Sequence, residues 1–155
     1  MARVEQIFIA EEVRGPVKEL QQAYLEAGMG IRGDRYYQAA QAAIACGETA
    51  GINQVTLIDK ARLDEFLAEH DSDLGYGEFR RSIITSGIEL NDLVDKSFMV
   101  GDARLRGTEL CEPCAWLKQN VHEAVLPDLV HKAGLRAIVE SSANISPGAE
   151  IEVLD

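Results

Sequence analysis

The sequence predicts a mostly β domain, a barrel or strongly curved sheet with a few short helices at its periphery. Three observations carry that expectation. Short apolar runs of strand length recur along the 155 residues, separated by Gly, Pro and Asp turn signals. Residues 103–108 alternate, Ala103, Leu105 and Gly107 against Arg104, Arg106 and Thr108, the two-residue period of a half-buried strand. Only two or three stretches carry a helical period, and all are short. The length suits one domain over residues 1–155, burying about two-thirds of the surface its unfolded chain would expose.

Residues 3–12 open as a strand around Val4, Ile7, Phe8 and Ile9, which Gly15-Pro16 ends. Residues 19–27 fit either a short helix or a strand with a turn. Gly28, Gly30 and Gly33 punctuate the loop that follows, where Gly permits tight turns or close backbone approach. Residues 38–46 are alanine-rich and helical in character. Residues 54–58 read as a strand, and Asp59 caps a helix with Leu63, Phe66 and Leu67 on one face. A polar loop over 71–77 leads to a strand at 80–85, a helical turn at 90–93 and a strand at 97–100. After the alternating strand comes the loop Cys111-Glu112-Pro113-Cys114. Pro113 fixes its own backbone and keeps Glu112 out of the helical region. Leu117, Val121 and Val125 then recur every fourth residue, a helix face that Pro127 ends or kinks. Short strands around 137–139 and 151–154 complete the chain.

The formal charge of -11 argues against a nonspecific nucleic-acid binder or a binder of anionic membranes. No apolar run is long enough to span a bilayer, and residues 1–12 lack the basic-then-apolar order of a signal peptide. Three cysteines cannot all pair within one chain. A reducing, cytoplasmic location with free thiols is the expectation.

The chemistry gathers at the sulfurs and the arginines. Cys114 falls between a strand end and a helix start, where free backbone N–H groups favour a thiolate. Cys111 and Cys114 together have the spacing of a redox pair or of half a zinc site. One reactive thiol, a disulfide cycle, structural zinc and inert core cysteines are the competing readings, with Cys114 the reactive sulfur because Pro113 constrains it. Arg32, Arg35, Arg80, Arg81, His131, Lys132 and Arg136 all lie in loops or at strand ends. They either converge on a small anion such as phosphate, which suits arginine's fork of donors, or form surface ion pairs with the many carboxylates. On a strand Arg80 and Arg81 face opposite ways, so at most one should enter a shared pocket. His131 could act as acid or base near neutral pH. Asp34 either orients an arginine or forms a turn.

The segments GIRGDRY (30–36), QVTLI (54–58), FRRSIITSGIELNDLV (79–94), VGDARLRGTELCEPCAWL (100–117) and LVHKAGLRAIV (129–139) resemble, in order, the MOSC domain family. That family is related to the C-terminal domain of molybdenum cofactor sulfurases. The resemblance implies a β-barrel with a few helices. Cys114 falls on the family's characteristic cysteine, which carries sulfur or ligates the molybdenum of a pterin cofactor. Gly33, Asp34 and Arg35 fall on its Gly-Asp-Arg element, Arg80 and Arg81 on its arginine pair, and His131 and Arg136 on its late basic positions. By this likeness Arg35, one of Arg80 and Arg81, and Arg136 hold the cofactor phosphate while His131 tunes charge. Tyr36 and Ser82 stand where the family usually has His and Asn, and the longer, alanine-rich stretch between residues 37 and 53 is expected to cover or reshape the pocket. The implied partners are a cysteine desulfurase or an electron-transfer protein, the latter for reducing N-hydroxylated compounds. Pyridoxal phosphate binding is a further family association, although no lysine lies in a context that would fix an aldehyde. A non-catalytic cofactor or sulfur carrier and a structural or protein-interaction module are the alternatives.

Overall fold

A computed structural model describes residues 1–154, the side chain of Pro127 excepted. The chain runs β1 (Arg3–Ala10), β2 (Val17–Leu20), β3 (Ala23–Glu26), β4 (Gly30–Ile31), α1 (Arg35–Ala45), β5 (Val55–Asp59) and α2 (Lys60–Glu69). A 3-10 turn (Tyr76–Phe79) precedes β6 (Ile83–Ser86), and another (Leu90–Leu93) precedes β7 (Ser97–Val100) and β8 (Ala103–Leu110). Then come α3 (Ala115–Asn120), α4 (Val125–Asp128), β9 (Leu135–Ser141), β10 (Ala143–Ile145) and β11 (Ile151–Val153).

The expectation of a mostly β barrel is corrected. The fold is mixed α/β, with an eight-stranded sheet in the order β11-β7-β8-β9-β5-β6-β1-β2 and a three-stranded sheet in the order β10-β3-β4. Neither closes. A barrel needs a continuous ladder between its first and last strands. Here β2 takes the outer edge of β1 through Ile7–Leu20 to Ala10–Val17, and three-residue β11 ends at the opposite edge. The start of β1 meets the segment before β11 through one isolated bridge, Arg3 to Glu150, and hydrogen bonds from the Val4 N–H to Ala149, the Gly148 N–H to Val4 and the Ile151 N–H to Ala2, short of a continuous ladder between the edge strands. β5 and β6 are parallel, joined through α2, while the other strand pairs are antiparallel.

The central strands of the large sheet are buried on both faces, and their alternation shows how. Val4, Ile7 and Ile9 of β1, Val55 and Leu57 of β5, and Ile83 of β6 share one cluster with Leu25 and Ile31 of the small sheet. Phe8, Ile58 and Ile84, the intervening residues, join Leu63 and Phe66 of α2, Leu117 of α3 and Val125 of α4. Three layers result: small sheet, large sheet, helices. β5 carries no exposed residue, as expected of a strand covered on both sides. Among the described residues, no helix is long and apolar enough to cross a membrane.

Several local expectations shift. Residues 19–27 hold the end of β2 and all of β3. The strand expected from residue 80 begins only at Ile83, because Arg80 adopts φ 62°, ψ 34° and ends the 3-10 turn. The helix after Cys114 divides into α3 and α4, and Leu126, just before Pro127, is non-helical at φ -112°, ψ 77°, as the proline ring demands of its predecessor.

Candidate functional site

The Gly33-Asp34-Arg35 element builds one wall. Gly33, at φ 89°, turns Asp34 inward, where it is fully buried at the N-cap of α1. Its Oδ1 accepts the Ala10 N–H at 3.0 Å and Arg35 Nη1 at 3.1 Å, and its Oδ2 accepts the Tyr36 N–H at 3.2 Å. One carboxylate thus caps the helix, ties it to β1 and aims a guanidinium. Arg35 also packs over the Tyr36 ring at 4.3 Å.

Arg35, Arg80, Arg81 and Ser82 line one tight gap with Phe8, Ile9, Ala10 and Val17, without room for a water molecule. The two adjacent arginines do different things in it. Arg81 is buried and spends its donors on four carbonyls: Nε on Ala133 (2.8 Å), Nη1 on Phe79 (3.4 Å), and Nη2 on Cys111 (3.2 Å) and Glu112 (3.3 Å). It clamps the cysteine loop to the segment before β9. Arg80 gives Nη1 to the Gly15 carbonyl at 2.6 Å, while its buried Nη2 has no partner. Burial pushes its guanidinium below the ordinary value, and the nearby positive charge of Arg35 adds to that. Its left-handed backbone is a strained conformation for a residue with a Cβ.

Cys114 is exposed at the N-cap of α3, and Cys111 is buried; both, like Cys46, are free thiols. Arg136 approaches Cys111 rather than Cys114: Nη2 donates to Cys111 Sγ at 3.7 Å and Nη1 to Asn53 Oδ1 at 2.8 Å. Its Nε is buried without a hydrogen bond, although Glu109 Oε1 lies 3.5 Å away as an ion-pair partner. The ring of Trp116, two residues after Cys114, lies 5.2 Å from the Arg80 guanidinium carbon. His131 is exposed, also left-handed at φ 62°, and clamped by Glu112, whose two oxygens take its N–H and Nδ1 at 2.8 Å each. It belongs to the rim of the cysteine loop and does not line the gap between the arginines.

An open cleft of about 370 Å³ adjoins Arg35, lined by Val13, Tyr36, Ala39, Ala40, Gly51 and Asn53 besides. Its walls are α1 and the stretch after it, the region expected to reshape the pocket. A second cleft, about 390 Å³, lies elsewhere among residues such as Asp59, Arg62, Glu65 and Glu89, and of the basic residues singled out from the sequence it takes only Lys132.

Molybdenum ligation by Cys114 is corrected by these surroundings. Among the described residues, the one cluster of His, Cys, Asp and Glu able to hold a metal is Glu69, His70 and Asp128, which includes neither Cys114 nor any other sulfur. The gap between the arginines is too small for a pterin. Pyridoxal phosphate binding is corrected likewise, because no lysine lines the gap or the adjoining cleft.

Sequence reasoning missed Asn53, Trp116, Glu112 and the sulfur of Cys111 as neighbours of the basic groups. Only the tryptophan had a readable signal, as the one Trp in the chain placed beside the cysteine pair.

A search among curated proteins finds no match to this sequence. Among solved structures, the YuaD protein of Bacillus subtilis is similar with a TM-score of 0.76 at 19% identity, over 99% of this chain and 96% of that one. YiiM of Geobacillus stearothermophilus gives 0.71 at 12% over 100% and 76%, and YiiM of Escherichia coli 0.69 at 13% over 99% and 70%. At such identities the likeness shows the fold alone. The sequence profile of the MOSC domain matches residues 45–152, which includes β5 to β11, the arginine pair and the cysteine loop but stops short of Gly33-Asp34-Arg35. The chain belongs to the MOSC domain family.

Proposed function

We propose that this MOSC domain handles sulfur, with Cys114 accepting a sulfane sulfur as a persulfide and passing it on while Arg35, at the end of an open cleft, holds the anionic part of the acceptor. The observation that supports the reading is the exposed thiol of Cys114 at the N-cap of α3, together with a guanidinium lining a cleft of about 370 Å³. The Arg80–Trp116 contact places a second guanidinium against the segment that presents Cys114.

The sulfur step needs no outside oxidant. The Cys114 thiolate attacks the outer sulfur of a donor persulfide, such as one formed on a cysteine desulfurase. The new S–S bond forms on Cys114, the donor's S–S bond breaks, and the donor leaves as a thiolate. Arg81 contributes by fixing the carbonyls of Cys111 and Glu112, which holds the loop in shape. The pterin cofactor that the family implies does not fit the gap between the arginines, and no step here runs through it.

Intact-mass measurement after exposure to polysulfide, or to a desulfurase with cysteine, tests the proposal. One added sulfur, released by thiol reductant and mapped to Cys114, is the expected result. It persists in Cys46→Ser and Cys111→Ser and disappears in Cys114→Ser. Absence of the added sulfur, or its appearance on Cys46 alone, overturns the reading.

A further inference from the structure

We infer that the cleft beside Arg35 takes an organic anion with an apolar body, a carboxylate or phosphate ester, in preference to a bare inorganic anion. The inference rests on the anion reading above and names the chemistry of the molecule held. The cleft's volume of about 370 Å³ lies in the range of small-molecule sites. One end carries Arg35, with Asn53 anchored by Arg136. The rest is apolar: Val13, Ala39, Ala40 and the Tyr36 ring.

The surroundings extend that apolar character outward. Val13 is 76% exposed and Ile52, between the lining residues Gly51 and Asn53, is 50% exposed. Ile44 follows Ala40 by one helical turn on the same face of α1 and is 52% exposed. Among the described residues, these three are half of the large exposed hydrophobics, which are Met1, Val13, Ile44, Ile52, Val130 and Val153. Clustered apolar exposure around a concave site marks a surface that something covers. Arg35 faces both the cleft and the Arg80 gap, so an anionic end docked there leaves the body of the molecule against α1. Small residues at 39 and 40 leave that space open.

Isothermal titration with acetate against hexanoate, and with inorganic phosphate against hexyl phosphate, is the test. Each buried methylene strengthens binding about fourfold, so the longer member of each pair should bind at least about tenfold tighter. Ala39→Phe, on an exposed helix position, should erase that difference while leaving acetate and phosphate binding in place. Arg35→Gln should abolish binding of all four. Equal binding of short and long anions, lost in Arg35→Gln, overturns the inference and leaves the anion reading intact. A length preference that survives Ala39→Phe places the molecule elsewhere and also overturns it. No binding of any anion removes both.

Discussion

Arg81→Met and Arg80→Met should have opposite consequences, although the two residues are neighbours. Removing the Arg81 guanidinium strands four acceptors. The Glu112 carbonyl is near solvent and can turn to water. Those of Phe79, Cys111 and Ala133 belong to residues no more than 3% exposed and cannot. Each stranded buried acceptor costs about 1–3 kcal/mol, the bond to Phe79 being long enough to count least. Relief of arginine desolvation and the apolar methionine stem offset part of this, leaving a net loss of about 3 kcal/mol. For a chain of this size that lowers Tm by roughly 6–12 °C. Arg80→Met loses one hydrogen bond, to Gly15, but removes a partnerless buried donor and the repulsion with Arg35. Its stability should stay within about 1 kcal/mol of the parent. Urea unfolding followed by circular dichroism measures the first effect, with an unchanged m-value confirming that both proteins unfold from the same compact state. If Arg81→Met is tolerated and Arg80→Met is the damaging change, the division of labour drawn from the hydrogen bonds is refuted.

Gly134→Ala should unfold the protein or reduce its stability by more than about 3 kcal/mol. A Cβ there would stand 1.9 Å from the Leu57 carbonyl oxygen, at φ 107°; the soluble yield and melting temperature report it. Asp34→Ala removes a helix cap and the acceptor of the Ala10 N–H, so we expect a loss of about 2–3 kcal/mol by denaturant titration. Asp64→Asn should flatten the acid limb of the stability curve. Burial alone would raise the Asp64 pKa, but hydrogen bonds from Tyr76 and Lys60 outweigh it and hold it below the ordinary 3.8. A carboxyl with a depressed folded value stabilises fully above its unfolded pKa and loses that contribution as pH falls through the folded one. Melting temperatures of parent and variant should therefore converge as the pH drops below about 4; a gap that stays constant refutes the assignment.

What the chain determines locally could be read from it directly. The alternation over residues 103–108 became β8 with Ala103, Leu105 and Gly107 buried, because a strand's side chains follow the backbone's own two-residue repeat. Asp59 caps α2 through the Ala61 N–H, as its position before an amphipathic stretch indicated. Cys114 stands exposed at the start of a helix, since Pro113 and the apolar spacing after it define that boundary. Tertiary structure decided the rest. The sheet stays open because β1 pairs with β2 and β6, a choice among distant edges that no short stretch encodes. Strand alternation would have separated Arg80 from Arg81, yet both line one gap because residue 80 takes a left-handed turn ahead of the strand. Which of them is left with a free donor depended on where the carbonyls of residues 111, 112 and 133 came to rest, and those positions are set by packing between segments far apart in the chain.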